Sequence, residues 1–155
     1  MIRVQREDFD LGAEVQALTA GNPRVGGLCS FVGLVRDIHG DDSVRAMTLE
    51  HYPGMTEKML QRIDDEAHRR WPLEASLVIH RHGRLKPGDQ IVLVATASPH
   101  RQAAFEACQF LIDWLKTQAP FWKKEETPEG ERWVDARESD DAAAGRWTGT
   151  GKAAE

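Results

Sequence analysis

Apolar residues recur at helical spacing through Ala104, Cys108, Leu111 and Leu115, with Phe105 and Ile112 widening the same face. The surrounding stretch, Ser98 to Glu125 (SPHRQAAFEACQFLIDWLKTQAPFWKKE), therefore predicts one long helix that is core on one side. Ser98 is a suitable N-cap, and Pro99 suits the first helical position, where a missing N–H costs nothing. Pro120 ends the helix after about Thr117, because a proline disfavours helix in the residue before it. The basic pair His100-Arg101 falls at the start of this helix, Lys116 in its last turn, and Lys123-Lys124 just beyond.

The rest of the chain alternates between strand and helix signals. Ile2 to Gln5 reads as a strand, and Asp10 caps a helix from Leu11 to about Ala20, with Gly21 past its end. Leu28 to Arg36 (LCSFVGLVR) is apolar nearly throughout, which predicts a strand buried on both faces, with Gly33 marking a bulge or a close approach. After the polar loop Asp37 to Ser43, a strand from Val44 to Tyr52 is expected to pair with it. Met55, Met59, Ile63 and Ala67 give a second amphipathic helix ending near Trp71-Pro72, with the two methionines read as core. Ala75 to Arg81 and Ile91 to Ala97 are strands separated by a Lys86-Pro87-Gly88-Asp89 turn of type II composition. Phe121 to Glu126 and Arg132 to Val134 flank a hairpin turn at Thr127–Gly130, and Ser139 is expected to cap a short helix to Trp147. Hairpin-like pairs dominate, so the fold class is α+β with a mainly antiparallel sheet.

Composition narrows the function without naming it. The 155 residues are 41% hydrophobic and 29% charged, enough for one domain over residues 1–147 with its own core, followed by a disordered tail at 148–155. No apolar run approaches the ~20 residues of a membrane span. The first ten residues include Glu7, Asp8 and Asp10 where a leader would be apolar, which predicts a cytoplasmic protein. Cys29 and Cys108 sit in apolar surroundings without metal-ligand spacing and read as buried reduced thiols. A net charge of −5 argues against a general nucleic-acid binder.

Charge is unevenly spread, however. Between His80 and Arg101 the only acid is Asp89, against Arg81, Arg84, Lys86, Arg101 and three histidines, so a small-anion pocket and a solvated basic face both remain open. His100 and Arg101 at a helix N-terminus oppose the dipole, and an anion there would compensate. Arg36 ends a strand before a loop, a common place for a ligand contact, or else it pairs with Asp37, Asp41 or Asp42. Lys123 follows Phe121-Trp122, and an apolar wall would make its amine usable as a base or nucleophile. Lys116 complements the helix dipole, which alone would explain it. No metal cluster, Walker loop, dinucleotide fingerprint or hydrolase nucleophile motif is present, which leaves acid-base or acyl chemistry by lysine on an anionic substrate.

Taken together, FVGLVR, TLEHYPGMTEKML, VIHRHGRLKPGD, SPHRQAAFEACQFLIDWLK and APFWKKE…G-E-R-W-V resemble, in that order, the large catalytic subunit family of molybdopterin synthase. The resemblance runs from about Val25 to Trp147. It implies an α/β hammerhead fold with an additional small antiparallel sheet, and a homodimer at the centre of a heterotetramer. The implied partner is a small ubiquitin-like subunit ending in a Gly-Gly thiocarboxylate, and the implied substrate is cyclic pyranopterin monophosphate, converted to the dithiolene of molybdopterin. No cofactor, metal, nucleic acid or membrane is implied. By motif match, Lys116 and Lys123 would be catalytic. Arg36, His100, Arg101, Lys124, Glu125 and Arg137 would bind substrate, with Phe31, Leu34, Val35 and Ile112 lining the pocket. Two other readings stand beside it: a non-catalytic adaptor holding a partner's carboxylate tail in a basic groove, and a Schiff-base enzyme acting through Lys123.

Overall fold

A computed structural model describes residues 1–39, 42–134 and 138–148 of the chain. In order, it contains β1 (Ile2–Gln5), α1 (Leu11–Thr19), β2 (Gly27–Leu34), β3 (Ile38–His39), β4 (Asp42–Ser43), β5 (Ala46–His51) and α2 (Met55–Arg70). There follow β6 (Ala75–Arg81), β7 (Gly83–Leu85), β8 (Gln90–Ser98), α3 (Arg101–Gln118), β9 (Phe121–Thr127), β10 (Gly130–Val134) and α4 (Glu138–Gly145). A larger sheet has the order β1-β6-β8-β2, a smaller one the order β10-β9-β5-β7, and β3 and β4 form a two-stranded ladder. Among the described residues only β1 and β6 pair in parallel, so the architecture is the expected α+β with a second, small antiparallel sheet.

Strand alternation divides the large sheet into two packing sides. Val78, Val92 and Val94 meet α2 and α3 through Leu60, Ile63, Ala107, Phe110 and Leu111. Leu77, Ile79, Leu93 and Ala95 face the other way, onto Phe9 and the half-buried Leu11 and Leu18 of α1. The inner side of the small sheet closes a third cluster of Val35, Met47, Leu49 and Leu85.

Several elements form as their residues predict. Asp10 caps α1 by accepting from the Ala13 N–H at 2.8 Å. Gly88 takes φ +90° in the turn closed by Asp89 N–H to the Lys86 carbonyl, as a type II turn requires. At Gly33 the β2–β8 register shifts, and a Cβ there would stand 2.7 Å from Val92 Cγ1, so both the bulge and the close approach are present.

Other expectations are corrected. Leu28 to Arg36 is not buried on both faces: β2 is an edge strand of the large sheet, and Phe31 and Leu34 are exposed. Nor does it pair with the next strand. Its partner is β8, while β5 joins β9 and β7 in the small sheet. Ser98 does not cap α3. It is the last residue of β8, with its hydroxyl donating to the Pro72 carbonyl, and the N-cap position falls to His100. Met55 is exposed and Met59 half-buried, because α2 turns Thr56, Leu60, Ile63, Asp64 and Ala67 inward. Phe105 is likewise exposed, and the buried stripe of α3 is Ala103, Ala104, Ala107, Cys108, Phe110, Leu111 and Leu115. Ser139 lies inside α4 rather than at its cap. Beyond Thr148, the expected tail lies outside the described residues.

Candidate active site

The C-terminal end of α3 and the start of β9 bring the two candidate lysines to one place. α3 stops at Gln118, and Phe121 N–H donates to the Ala119 carbonyl at 2.9 Å in the short turn into β9. Lys116 is exposed in the last turn, and Lys123 is half-buried two residues into the strand. Phe121 lies flat on the imidazole of His80, with ring centroids 3.7 Å apart and planes 17° from parallel. His80 belongs to β6, beside Val92 of β8.

His80 is almost wholly buried, and its Nδ1 lies 2.8 Å from the Arg81 carbonyl. Burial, followed by the positive charges of Lys123, Lys116 and His51, pushes its pKa down to about 3, outweighing the opposing effect of the backbone hydrogen bond. The ring is therefore neutral in ordinary buffers, and both lysines lie within electrostatic reach of it. His51 pairs with Phe121 across β5 and β9, and its ring stands 4.5 Å from that of His82. Burial also lowers the pKa of His82. A lysine pair beside the neutral His80 ring can hold an anion and move a proton.

His100 and Arg101 lie elsewhere. Both are exposed at the N-terminus of α3, where the first turn holds no acidic residue and no side chain caps the helix. Free N–H groups together with these cations make a second place suited to an anion. β2 approaches that turn so closely that a Cβ on Gly27 would be 3.2 Å from Arg101 Cα. α3 is unbroken between the two places. Lys116 is sixteen residues from His100, or ~24 Å along the axis.

The remaining candidates separate as well. Phe31 shares its face of β2 with Cys29, which packs with the α3 core, and the half-buried Ile112 joins the same cluster. Leu34 and Arg36 are exposed at the far end of β2, whereas Val35 is buried against Met47, Leu49 and Leu85. Lys124 points to the opposite face of β9 from Lys123, paired with Glu131 at 3.2 Å and lying over Trp133. Glu125 is buried, and its carboxylate accepts from Arg132. Arg137 lies outside the described residues.

The basic run from His80 to Arg101 does not form one pocket. His80 is buried, Arg81 donates to the carbonyls of Arg6 and Gln90, and Arg84 is paired with Glu126. Cys108 is buried and Cys29 half-buried, both as free thiols, and burial pushes the Cys108 pKa up. No helix among the described residues is long and apolar enough to cross a membrane. Sequence reasoning missed the His80–Phe121 stack. The signal was there in Ser76, Val78 and His80, one face of a strand whose next inward position is a histidine.

Comparison with known proteins identifies the family and the fold. Residues 4–118 match the family model described as MoaE protein. The chain is 61% identical over 146 residues to a molybdopterin synthase catalytic subunit of Ralstonia nicotianae, covering 94% of this chain and 83% of that one. The solved molybdopterin biosynthesis MoaE protein of Burkholderia ambifaria superimposes with a TM-score of 0.82 at 61% identity, over 95% of this chain and 97% of that one. The fold is shared by the complex of subunits 1 and 2 of molybdopterin-converting factor from Helicobacter pylori, with a TM-score of 0.72 at 20% identity over 88% and 91% of the two chains. The chain thus belongs to the MoaE family, the catalytic subunits of molybdopterin synthase, enzymes of molybdenum cofactor biosynthesis.

Proposed function

We propose that the chain transfers sulfur from the C-terminal thiocarboxylate of a small ubiquitin-like subunit to cyclic pyranopterin monophosphate, forming the dithiolene of molybdopterin. The observation that carries this reading is the convergence of Lys116 and Lys123 around a neutral, buried His80, in a chain of this family. The lysines offer positive charge to the anionic thiocarboxylate and, as amines, a route for the protons that move during transfer. The sulfur arrives on the partner, so neither Cys29 nor Cys108 needs to react. The two-subunit complex from Helicobacter pylori supports a partner of this kind. Arg36, His100, Arg101, Lys124, Glu125 and Arg137 are the proposed substrate contacts, with Phe31, Leu34, Val35 and Ile112 as the proposed pocket lining. The proposed setting is the cytoplasm.

Because α3 separates Lys116 from His100 by ~24 Å, the two cannot grip one small pterin within a single chain. The reading therefore includes a homodimer, at the centre of a heterotetramer, in which each site takes its lysines from one copy and His100-Arg101 from the other. The deciding experiment supplies purified protein with thiocarboxylated small subunit and cyclic pyranopterin monophosphate and measures molybdopterin. A protein that binds the small subunit's tail without turnover is instead the adaptor. Subunit mixing then tests the shared site. Lys116→Ala and His100→Ala/Arg101→Ala homodimers should be inactive, and mixed dimers should regain one working site. Mixed dimers that form yet stay inactive remove the shared-site arrangement.

A further inference from the structure

The turn from α3 into β9 has to be held with some accuracy if Lys116 and Lys123 are to work together. Backbone pairing does not hold it to the large sheet, since β9 pairs with β5 and β10, both in the small sheet. The contact that crosses from sheet to sheet at this point is between side chains. Phe121, the first residue of β9, lies on His80 of β6, the one parallel ring stack among the described residues. Lys123 is two residues further along the strand and so shares the inward face with Phe121.

The chemistry of the histidine suits that place. A carbonyl oxygen only accepts, so the 2.8 Å contact with Arg81 puts the ring proton on Nδ1. The contact fixes the plane of the ring on which Phe121 lies. A charged ring would add a third cation beside Lys116 and Lys123, whereas a neutral one gives a flat, dry surface. An ordinary buried histidine satisfied by one backbone bond would need neither the flat stack nor this position under the lysine turn.

We propose that His80 is a positioning residue of the lysine centre: by stacking on Phe121 it fixes the start of β9 against the large sheet, and so sets where Lys123 stands relative to Lys116. The proposal rests on the sulfur-transfer reading of that pair. The test uses the assembled synthase, with sulfur transfer followed at varied pyranopterin concentration for wild type, His80→Ala, His80→Phe and Phe121→Leu. His80→Ala, folded by circular dichroism and still binding the small subunit, should lose at least ~10-fold in kcat with KM within about twofold, because a small displacement of a reacting group is felt in the chemical step. His80→Phe keeps a flat ring and should recover most of the rate. Phe121→Leu removes the stack from the other side and should repeat the loss, which keeps the test decisive if His80→Ala does not fold.

Wild-type kcat in a folded His80→Ala or in Phe121→Leu overturns the proposal, as does a His80→Phe enzyme no faster than His80→Ala. Failure of the wild type to turn over would count against the sulfur-transfer reading instead. In that event amine acetylation of the resting protein, read by mass spectrometry, decides the positioning claim. The labelling of Lys123 relative to Lys116 should change in His80→Ala and return in His80→Phe, and an unchanged ratio overturns the claim.

Discussion

Gly26 and Pro99 are in such close contact that a Cβ on the glycine would stand 2.1 Å from the proline's carbonyl oxygen. Gly26 N–H also donates to the Ser98 carbonyl at 3.0 Å, so the chain entering β2 is tied to the turn that presents His100 and Arg101. The obstacle is backbone, which cannot swing aside as a side chain would. Gly26→Ala should therefore cost about 2 kcal/mol or more, in the range of overpacking, read as a lower urea midpoint. It should also weaken substrate binding through the displaced pair, seen as a raised KM. A variant with wild-type midpoint and KM would show that the contact is not tight.

Lys116→Ala and Lys123→Ala should each slow sulfur transfer by at least ~100-fold, the usual scale for a positioned acid-base group. Lys116 is exposed, so its loss should leave the melting temperature close to wild type. Full activity in either variant removes that lysine from the mechanism.

Replacing both cysteines by serine should leave the chemistry intact. Cys108 is buried among apolar residues, so its hydroxyl replacement should cost roughly 1–3 kcal/mol of stability. Loss of transfer in a double variant that still folds by circular dichroism would mean that a protein thiol takes part.

Stability should fall as the solution is acidified below neutrality, and His80 supplies a calculable share. Unfolded, its ring takes up a proton near the ordinary histidine value of 6.5, whereas folded it stays neutral to about 3. Between these values the unfolded state binds a proton that the folded state refuses, so stability drops with falling pH by up to about 1.4 kcal/mol per pH unit. His82, its pKa also lowered by burial, acts in the same direction. The window to measure is pH 6.5 to 4.5. Below it the unfolded chain also protonates Asp8, Glu66, Glu74 and Glu126, whose pKa values the fold lowers chiefly through hydrogen bonds, and further stability is lost. Urea titrations across the window should show a shallower slope in His80→Phe, and an identical slope would mean that His80 takes up a proton in the folded chain.

How far the structure could be read beforehand depended on how local the deciding interactions are. Asp10 and Ala13 settle the start of α1 between themselves, and the hairpin from Phe121 to Val134 closes through Gly130 at φ +120°. The partner of β2 could not be found that way. Adjacency favoured β5, and the actual partner β8 begins at Gln90, long after it in the chain. The apolar run in β2 misled for a related reason. A strand rich in Leu, Phe and Val is expected to be covered on both sides, yet within one chain Phe31 and Leu34 have no cover. At the site, the lysines were legible as residues near a helix end. Their common neighbour was not, because His80 reaches them only after two sheets have packed.

The continuity of α3 also limits what this chain can become. Its buried stripe, its His100-Arg101 start and its lysine end are printed on one continuous spiral. Adding or deleting one residue between Arg101 and Leu111 would turn everything downstream by about 100° and shift it by about 1.5 Å. Leu111 and Leu115 would leave the core in the same step that swung Lys116 away from Lys123. The two ends can therefore change in kind, by substitution, but not in spacing. Length within this helix is locked by the packing of its middle.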